Sequence, residues 1–287
     1  MPQPHVAIVT DSTSDLEPGF AATLGIDVVP LIVLFGDKQY RDYIDLSRPD
    51  FYRMFAAENV LPTTSQPTAQ SFAEAFRPHV EAGQSILCVV VSSGLSGTLN
   101  AASAGAAQFP GAKITVFDTH SASGGLALYA RHAAELARAG ASHEEILAVL
   151  ERWRATENLY VALPDLSHVV RTGRVSRAQG FIGGLLKIVP VLRLGRNDGK
   201  LEIEASVRTF ARAQETMLDT TVAKLGDVAK ARVTVIHANA PELARSMVER
   251  LRAKLPVEPL ELDVYAAGPV VAAHAGPGAV AISSIPG

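Results

Sequence analysis

The chain has 287 residues, of which 48% are hydrophobic and 19% charged, with a formal net charge of −3. That composition supports one large folded domain or two ordinary ones and excludes a disordered chain. It also excludes a global basic field that would draw the protein to nucleic acid, because Lys and Arg are scattered without any block of like charge.

The elements alternate along the chain. "HVAIVT" (5–10) has the β-branched content of a strand, and "DVVPLIVLF" (27–35) reads as a second. "RPDFYRMFAAE" and "TAQSFAEAFRPHVEAG" carry helical spacing, with Thr68 after Pro67 as the natural N-cap of the latter. "SILCVVV" (85–91) is a strand, a helix begins near Thr98, "KITVF" (113–117) is a strand, and a long helix begins near Ser123. "SHEEILAVLERW" opens with Ser142 three residues before Glu145, the signature of a capping box. After "NLYVALPD" the pattern changes. "LLKIVPVLRLGRNDGKLEIEASV" predicts two strands around a tight Asn-Asp-Gly turn. A helix from Thr209 to Leu225, the strand "RVTVIHA", a helix starting at Pro241 and a final strand-rich stretch follow. This is an α/β pattern in two domains, 1–159 with a mostly parallel sheet flanked by helices and 160–287 with a second α/β sheet. A cleft between two such domains is a natural ligand site, and with the apolar excess it predicts a tunnel in the first domain that opens at the hydroxyl-bearing turns.

Those turns follow strands. "TDSTSD", "SSGLSG" and "DTHSAS" should crowd along one rim, because ligands of parallel sheets sit beyond the carboxyl ends of the strands. No Walker loop or GxGxxG is present, and Lys187 in "GFIGGLLK" lacks the spacing to serve phosphates. The N-terminus of a helix at "SGT" could still accept an anion. "GLSGT" approaches the elbow of the α/β-hydrolases around Ser96 but has Thr98 where the elbow has glycine. Asp118 and His274 could complete a triad in suitable chain order, so a serine hydrolase or acyltransferase acting on lipid esters is the alternative to a binding protein. No HExxH or paired-cysteine motif points to a metal, and Asp11 and Asp15 read as turn caps. Cys88 is the single cysteine, so no intrachain disulfide forms. The start of the chain lacks a basic segment followed by an apolar one, and no apolar run reaches the ~18 residues of a membrane span, so the cytoplasm is the expected compartment. Hydroxyls also gather in "LPTTSQPT" (61–68), more than one helix cap needs, and His274 sits among small residues in "AHAGPGA".

Seven stretches in order, "VAIVTDSTSDL", "PTTSQPT", "SSGLSGTLNAA", "VFDTHSASGG", "RTGRVS", "LLKIVPVL" with "DGKL", and "GPVVAAHAGPGAVAI", make the chain resemble the DegV family of fatty-acid-binding proteins from residue 6 to about residue 282. The resemblance implies a two-domain α/β protein that buries one long-chain fatty acid such as palmitate and needs no other cofactor. It implies that Thr64 and Ser96 hold the carboxylate, with Ser93 and His274 near the head group. It further implies that Arg174 in "TGRVS" and Arg208 in "SVRTFARA" serve an acyl phosphate or a partner fatty-acid kinase to which the lipid is presented. Hydroxyls rather than a full positive charge suit a carrier, which must release its ligand.

Overall fold

A computed structural model describes residues 5–57, 61–175 and 188–287. The first sheet is parallel, with strand order β2-β1-β6-β7. It comprises β1 (Val6–Asp11), β2 (Ile26–Val29), β6 (Ser85–Val90) and β7 (Ile114–Asp118). Because β1 and β6 are buried on both faces, they read as continuous apolar runs rather than as alternation. On one face lie α3 (Ala69–Glu81) and α4 (Thr98–Ala106), packing Phe72, Phe76 and Ala102 onto Cys88 and Val90. On the other lie α5 (Gly124–Arg138) and α6 (His143–Thr156), which contribute Tyr129, Ile146 and Trp153. The expected caps are present: Thr68 accepts from the Ser71 amide, and Ser142 and Glu145 form a capping box.

The run 27–35, read in the sequence as one strand, is two. β2 stays in the parallel sheet, whereas β3 (Ile32–Phe35) pairs antiparallel with β4 (Lys38–Arg41) and β5 (Thr63–Ser65) in a separate three-stranded sheet. Pro30 has no N–H to continue the ladder, and the Leu31 amide donates instead to Ser12 Oγ at 3.0 Å. The break matters for function, because β3 pairs Val33 with Thr64 and so places the "PTTSQPT" turn.

A second, mixed sheet has the order β10-β9-β8-β13-β11-β12. Its strands are β8 (Asn158–Ala162), β9 (Val189–Leu194), β10 (Leu201–Val207), β11 (Arg232–His237), β12 (Glu261–Ala266) and β13 (Val280–Ile285). It takes in all of β8 from Asn158, so the division expected after residue 159 falls within that strand. Ser176 and 180–187 lie outside the described residues, and with them the end of "RTGRVS", the "GFIGGLLK" stretch and Lys187. α8 (Phe210–Lys224) and α9 (Pro241–Lys254) cover one face, burying Met217, Met247 and Tyr160. The opposite face looks toward the first domain, together with α2 (Arg48–Ala57), α7 (Ser167–Arg171) and α10 (Pro269–Ala275). No described helix is long and apolar enough to cross a membrane.

Close packing of α3 on α4 depends on Gly105. A β-carbon there would stand 2.7 Å from the Ala69 carbonyl oxygen and 2.8 Å from Phe72 Cβ. Gly105→Ala gains about 1 kcal/mol of helix propensity but incurs about 1–3 kcal/mol of overpacking against backbone that cannot move aside. The expected result in a thermal or denaturant melt is a net loss of stability; a rise in midpoint would show that the two helices part without cost.

Candidate functional site

The three polar turns meet, as the strand order requires. Asp11 closes β1. Its Oδ1 accepts from the Thr13 amide at 2.9 Å, capping the following turn, and its Oδ2 accepts from the Val91 amide at 2.8 Å, fixing the end of β6. The Ser123 amide donates to the Thr13 carbonyl at 2.8 Å, and the Ser92 amide to the Ser121 carbonyl at 2.9 Å. Asp15 was expected to cap locally and does more. It takes a left-handed conformation, accepts from the Ser123 hydroxyl through Oδ2, and accepts from the Gly268 amide of the second domain through Oδ1 at 2.8 Å. Burial pushes its pKa up to about 7, against the opposing pull of the Ser123 and Gly268 hydrogen bonds and of the Arg48 charge. Gly268 is the N-cap of α10, the helix that carries His274, so Asp15 anchors that helix to the first domain.

Between the two sheets lies a cavity of about 150 Å³, well above the roughly 10–15 Å³ needed to hold one water. The cavity lies at the interdomain cleft expected from the sequence, but its walls are shared by both domains rather than formed by a tunnel in the first. Much of the wall comes from the inner face of the second sheet, where Leu159, Val161 and Leu163 follow at intervals of two from β8 onward, and Ala279 and Ala281 do the same along β13. Small side chains on that face, including Ala238 and Ala267, leave the space open. The wall is apolar apart from a few groups, namely Thr13, Thr64, Ser96, Ser123, Arg174 and His274.

Four of the six residues expected at the site are therefore brought to one cavity: Thr64, Ser96, His274 and Arg174. Thr64 Oγ1 and His274 Nε2 are hydrogen-bonded at 2.7 Å across 210 positions of sequence. Ser96 Oγ pairs with Thr98 Oγ1 at 2.8 Å and accepts from the Thr98 amide at 3.3 Å. The Gln66 side chain fills the space that a β-carbon on Gly97 would need, which sets the "TSQP" and "LSG" turns side by side. Arg174 donates through Nη1 to the Thr172 carbonyl at 2.6 Å and through Nε to the Leu95 carbonyl at 3.4 Å. Ser93 and Arg208 are placed elsewhere. The Ser93 amide donates to Asp118 Oδ1 at 3.1 Å, and the residue is exposed and not among those that line the cavity. Arg208 is exposed just before Thr209, the N-cap of α8. Thr13 and Ser123, hydroxyls of the cavity wall, were read from the sequence only as turn residues; their position between two strand ends was the available signal.

The alternative triad is not assembled. Ser96 meets Thr98 rather than an imidazole, His274 Nε2 meets Thr64, and His274 Nδ1 has no partner among the described residues. Asp118 instead accepts from the Ser93 and His120 amides. Burial, reinforced by the charges of Arg174 and Arg171, holds the His274 pKa down at about 3, so the ring is neutral at pH 7. Among the described residues no cluster of His, Cys, Asp and Glu could hold a metal ion.

Comparison with known proteins follows the same lines. The model of the DegV family matches residues 5–287. A DegV domain-containing protein of Deinococcus radiodurans is 35% identical over 281 residues, covering 98% of each chain. A DegV family protein from Thermus thermophilus, described as fatty-acid binding, superposes with a TM-score of 0.90 at 32% identity, covering 98% of this chain and 99% of its own. A stearic-acid-binding protein from Eubacterium ventriosum superposes with a TM-score of 0.87 at 26% identity over 98% of both chains.

His274 makes stability depend on pH in a defined direction. An unfolded histidine takes up its proton near pH 6.5, but folded His274 resists protonation down to about 3. Its burial therefore costs nothing above about pH 7 and costs progressively more as pH falls from 6.5 toward 3. The stability advantage of the unsubstituted protein over His274→Gln, which cannot titrate, should shrink by about 1–3 kcal/mol between pH 7 and pH 4.5 in denaturant titrations. A constant difference would mean that the ring protonates freely in the fold.

Proposed function

Because the chain belongs to the DegV family, we propose that the cavity between its domains binds one long-chain fatty acid such as palmitate, and that the protein is a non-catalytic carrier that presents the carboxyl group to a fatty-acid kinase. The observation that carries this reading is an apolar space lined by hydroxyl groups from separate turns, with no fixed full charge among the described lining residues except Arg174. A hydrophobic tail supplies most of the affinity. About fourteen buried methylenes at roughly 0.8 kcal/mol each give about 11 kcal/mol as an upper bound, before the cost of immobilising the chain. Hydrogen bonds to the charged head contribute about 1.5–3 kcal/mol each and set the orientation.

In its Nε2–H form, neutral His274 donates to Thr64 Oγ1, which leaves the Thr64 proton free to be donated into the cavity. Ser96 supplies a second hydroxyl from the turn that opens α4. Gly97 gives that helix no side-chain cap, so its first amides and its dipole favour an anion beside Ser96. Thr64 and Ser96 hold the carboxylate, with His274 as the partner that orders Thr64. Ser93, exposed and outside the cavity lining, takes an indirect part through the turn it shares with Ser96. The reading requires no metal or organic cofactor. Arg174 at the cavity and exposed Arg208 offer planar donors suited to phosphate oxygens or to an acidic partner surface.

Thr64→Ala removes one charge-assisted bond while leaving the tail's environment unchanged. Palmitate affinity should fall by about 1–3 kcal/mol, read by calorimetry or fluorescence displacement. Unchanged affinity would remove Thr64 from the head-group site. For the kinase reading, Arg208→Ala should leave palmitate binding intact but weaken an acyl-phosphonate analogue, or transfer by a cognate kinase, about tenfold or more. Equal losses for both ligands would place Arg208 at the carboxylate, and no loss for either would leave it a solvated surface charge.

A further inference from the structure

The turn that carries Ser96 is not held by its own domain alone. Its first residue, Ser92, is fully buried, and each of its polar groups is engaged. The amide donates to the Ser121 carbonyl, and the Ser92 carbonyl accepts from the amides of Leu95 at 3.0 Å and Ser96 at 3.1 Å. The hydroxyl accepts from the Gly94 amide at 3.2 Å and donates to the Gly199 carbonyl at 2.6 Å. Gly199 belongs to the tip of the β9–β10 hairpin in the second domain.

The fit at this contact is close. A β-carbon on Gly199, whose φ is +61°, would overlap the Ser92 hydroxyl. One on Gly94 would stand 2.5 Å from the carbonyl oxygens of Asp198 and Gly199. The hairpin tip is fixed at a second point, where His120 Nδ1 hydrogen-bonds the Arg196 carbonyl at 2.7 Å. Arg196 in turn donates to the Thr156 and Glu157 carbonyls and to Asn158 Oδ1. None of Ser92, Gly94, Gly199 and His120 lines the cavity.

Resting on the fatty-acid reading above, we infer that the hairpin tip at Arg196–Gly199 positions the head-group site: by latching Ser92, the second domain sets where the Ser96 hydroxyl stands. Ser92 and His120 are positioning residues, acting through Ser96 and not on the ligand. The second domain thus contributes the cavity wall and also sets the register of the first domain's carboxylate-binding turn.

The test uses the full chain and two ligands with the same tail, palmitate and hexadecanol, the second lacking the carboxylate. Ser92→Ala is expected to weaken palmitate about tenfold and hexadecanol by less than about threefold. In a Ser96→Ala background, the further substitution Ser92→Ala should add little, because both act on the same bond. His120→Ala, which removes one of the tip's contacts while sparing the Ser92 hydroxyl, should give a smaller loss of the same selectivity and guards against misfolding of the first variant. Equal losses for both ligands, losses that add fully to Ser96→Ala, or no loss in either variant would overturn the latch. If the unsubstituted protein bound hexadecanol and palmitate equally, the carboxylate reading itself would fail, and the latch with it. Failure of the latch alone leaves the unsubstituted preference for palmitate in place.

Discussion

A carboxylate buried between two domains must be satisfied by the groups around it or remain protonated, and Asp15 stands under that constraint. Removing it from water raises its pKa to about 7, even with the Ser123 hydroxyl and the Gly268 amide directed at it. Those same two groups decide the layout. One opens α5 on the cavity floor, and the other begins α10 of the second domain. Once Gly268 is fixed, α10 delivers His274 to Thr64, and the Thr64–His274 bond joins the small antiparallel sheet to the second domain. The Thr64–His274 pair at the cavity is therefore assembled by long-range bonds that exist only when both domains are folded together.

A second buried carboxylate works at the other side of the same loop. Glu157 accepts from Ser121 at 2.8 Å and from Ser283 of β13 at 2.6 Å, and burial raises its pKa. Ser121 and Ser123, two residues apart, thus face separate acidic hubs, each tying the first domain to the second. Pairs of this kind add little net stability, because desolvation offsets most of the attraction, but breaking one leaves an unsatisfied buried group. Their effect is to permit one interdomain arrangement. A carrier whose cavity lies between domains needs that arrangement fixed, since the wall on one side and the hydroxyls on the other belong to different parts of the chain.

Local signals were legible in the sequence wherever the physics is local. Val6–Asp11 and Ser85–Val90 show as strands because both faces are apolar, and Ser142, Thr68 and Pro241 mark helix starts because capping is decided within four residues. The break at Pro30 was present but overruled by the apolar run on either side. β5, only three residues long, carried no periodicity to read. The cavity was the least legible feature. It arises where side-chain volume is missing, at Ala238, Ala267, Ala279 and Ala281, and each of these alanines taken singly looks like ordinary core. Nor could spacing bring Thr64 to His274; that pairing was approached through the family resemblance. Ser93 is placed near the head group by the resemblance alone; in the fold it is exposed and outside the cavity lining, with its amide on Asp118.

If one acyl chain runs between the sheets with its carboxylate at Thr64 and Ser96, a crystal structure with palmitate carrying a bromine on its terminal carbon will show it, because anomalous scattering locates the tail without interpretation of weak density. A single bromine peak is expected among the apolar side chains of the second sheet's inner face, with the carboxylate within hydrogen-bonding distance of the Thr64 and Ser96 hydroxyls. A bromine peak beside those hydroxyls, or one outside the cavity, would rule this binding mode out.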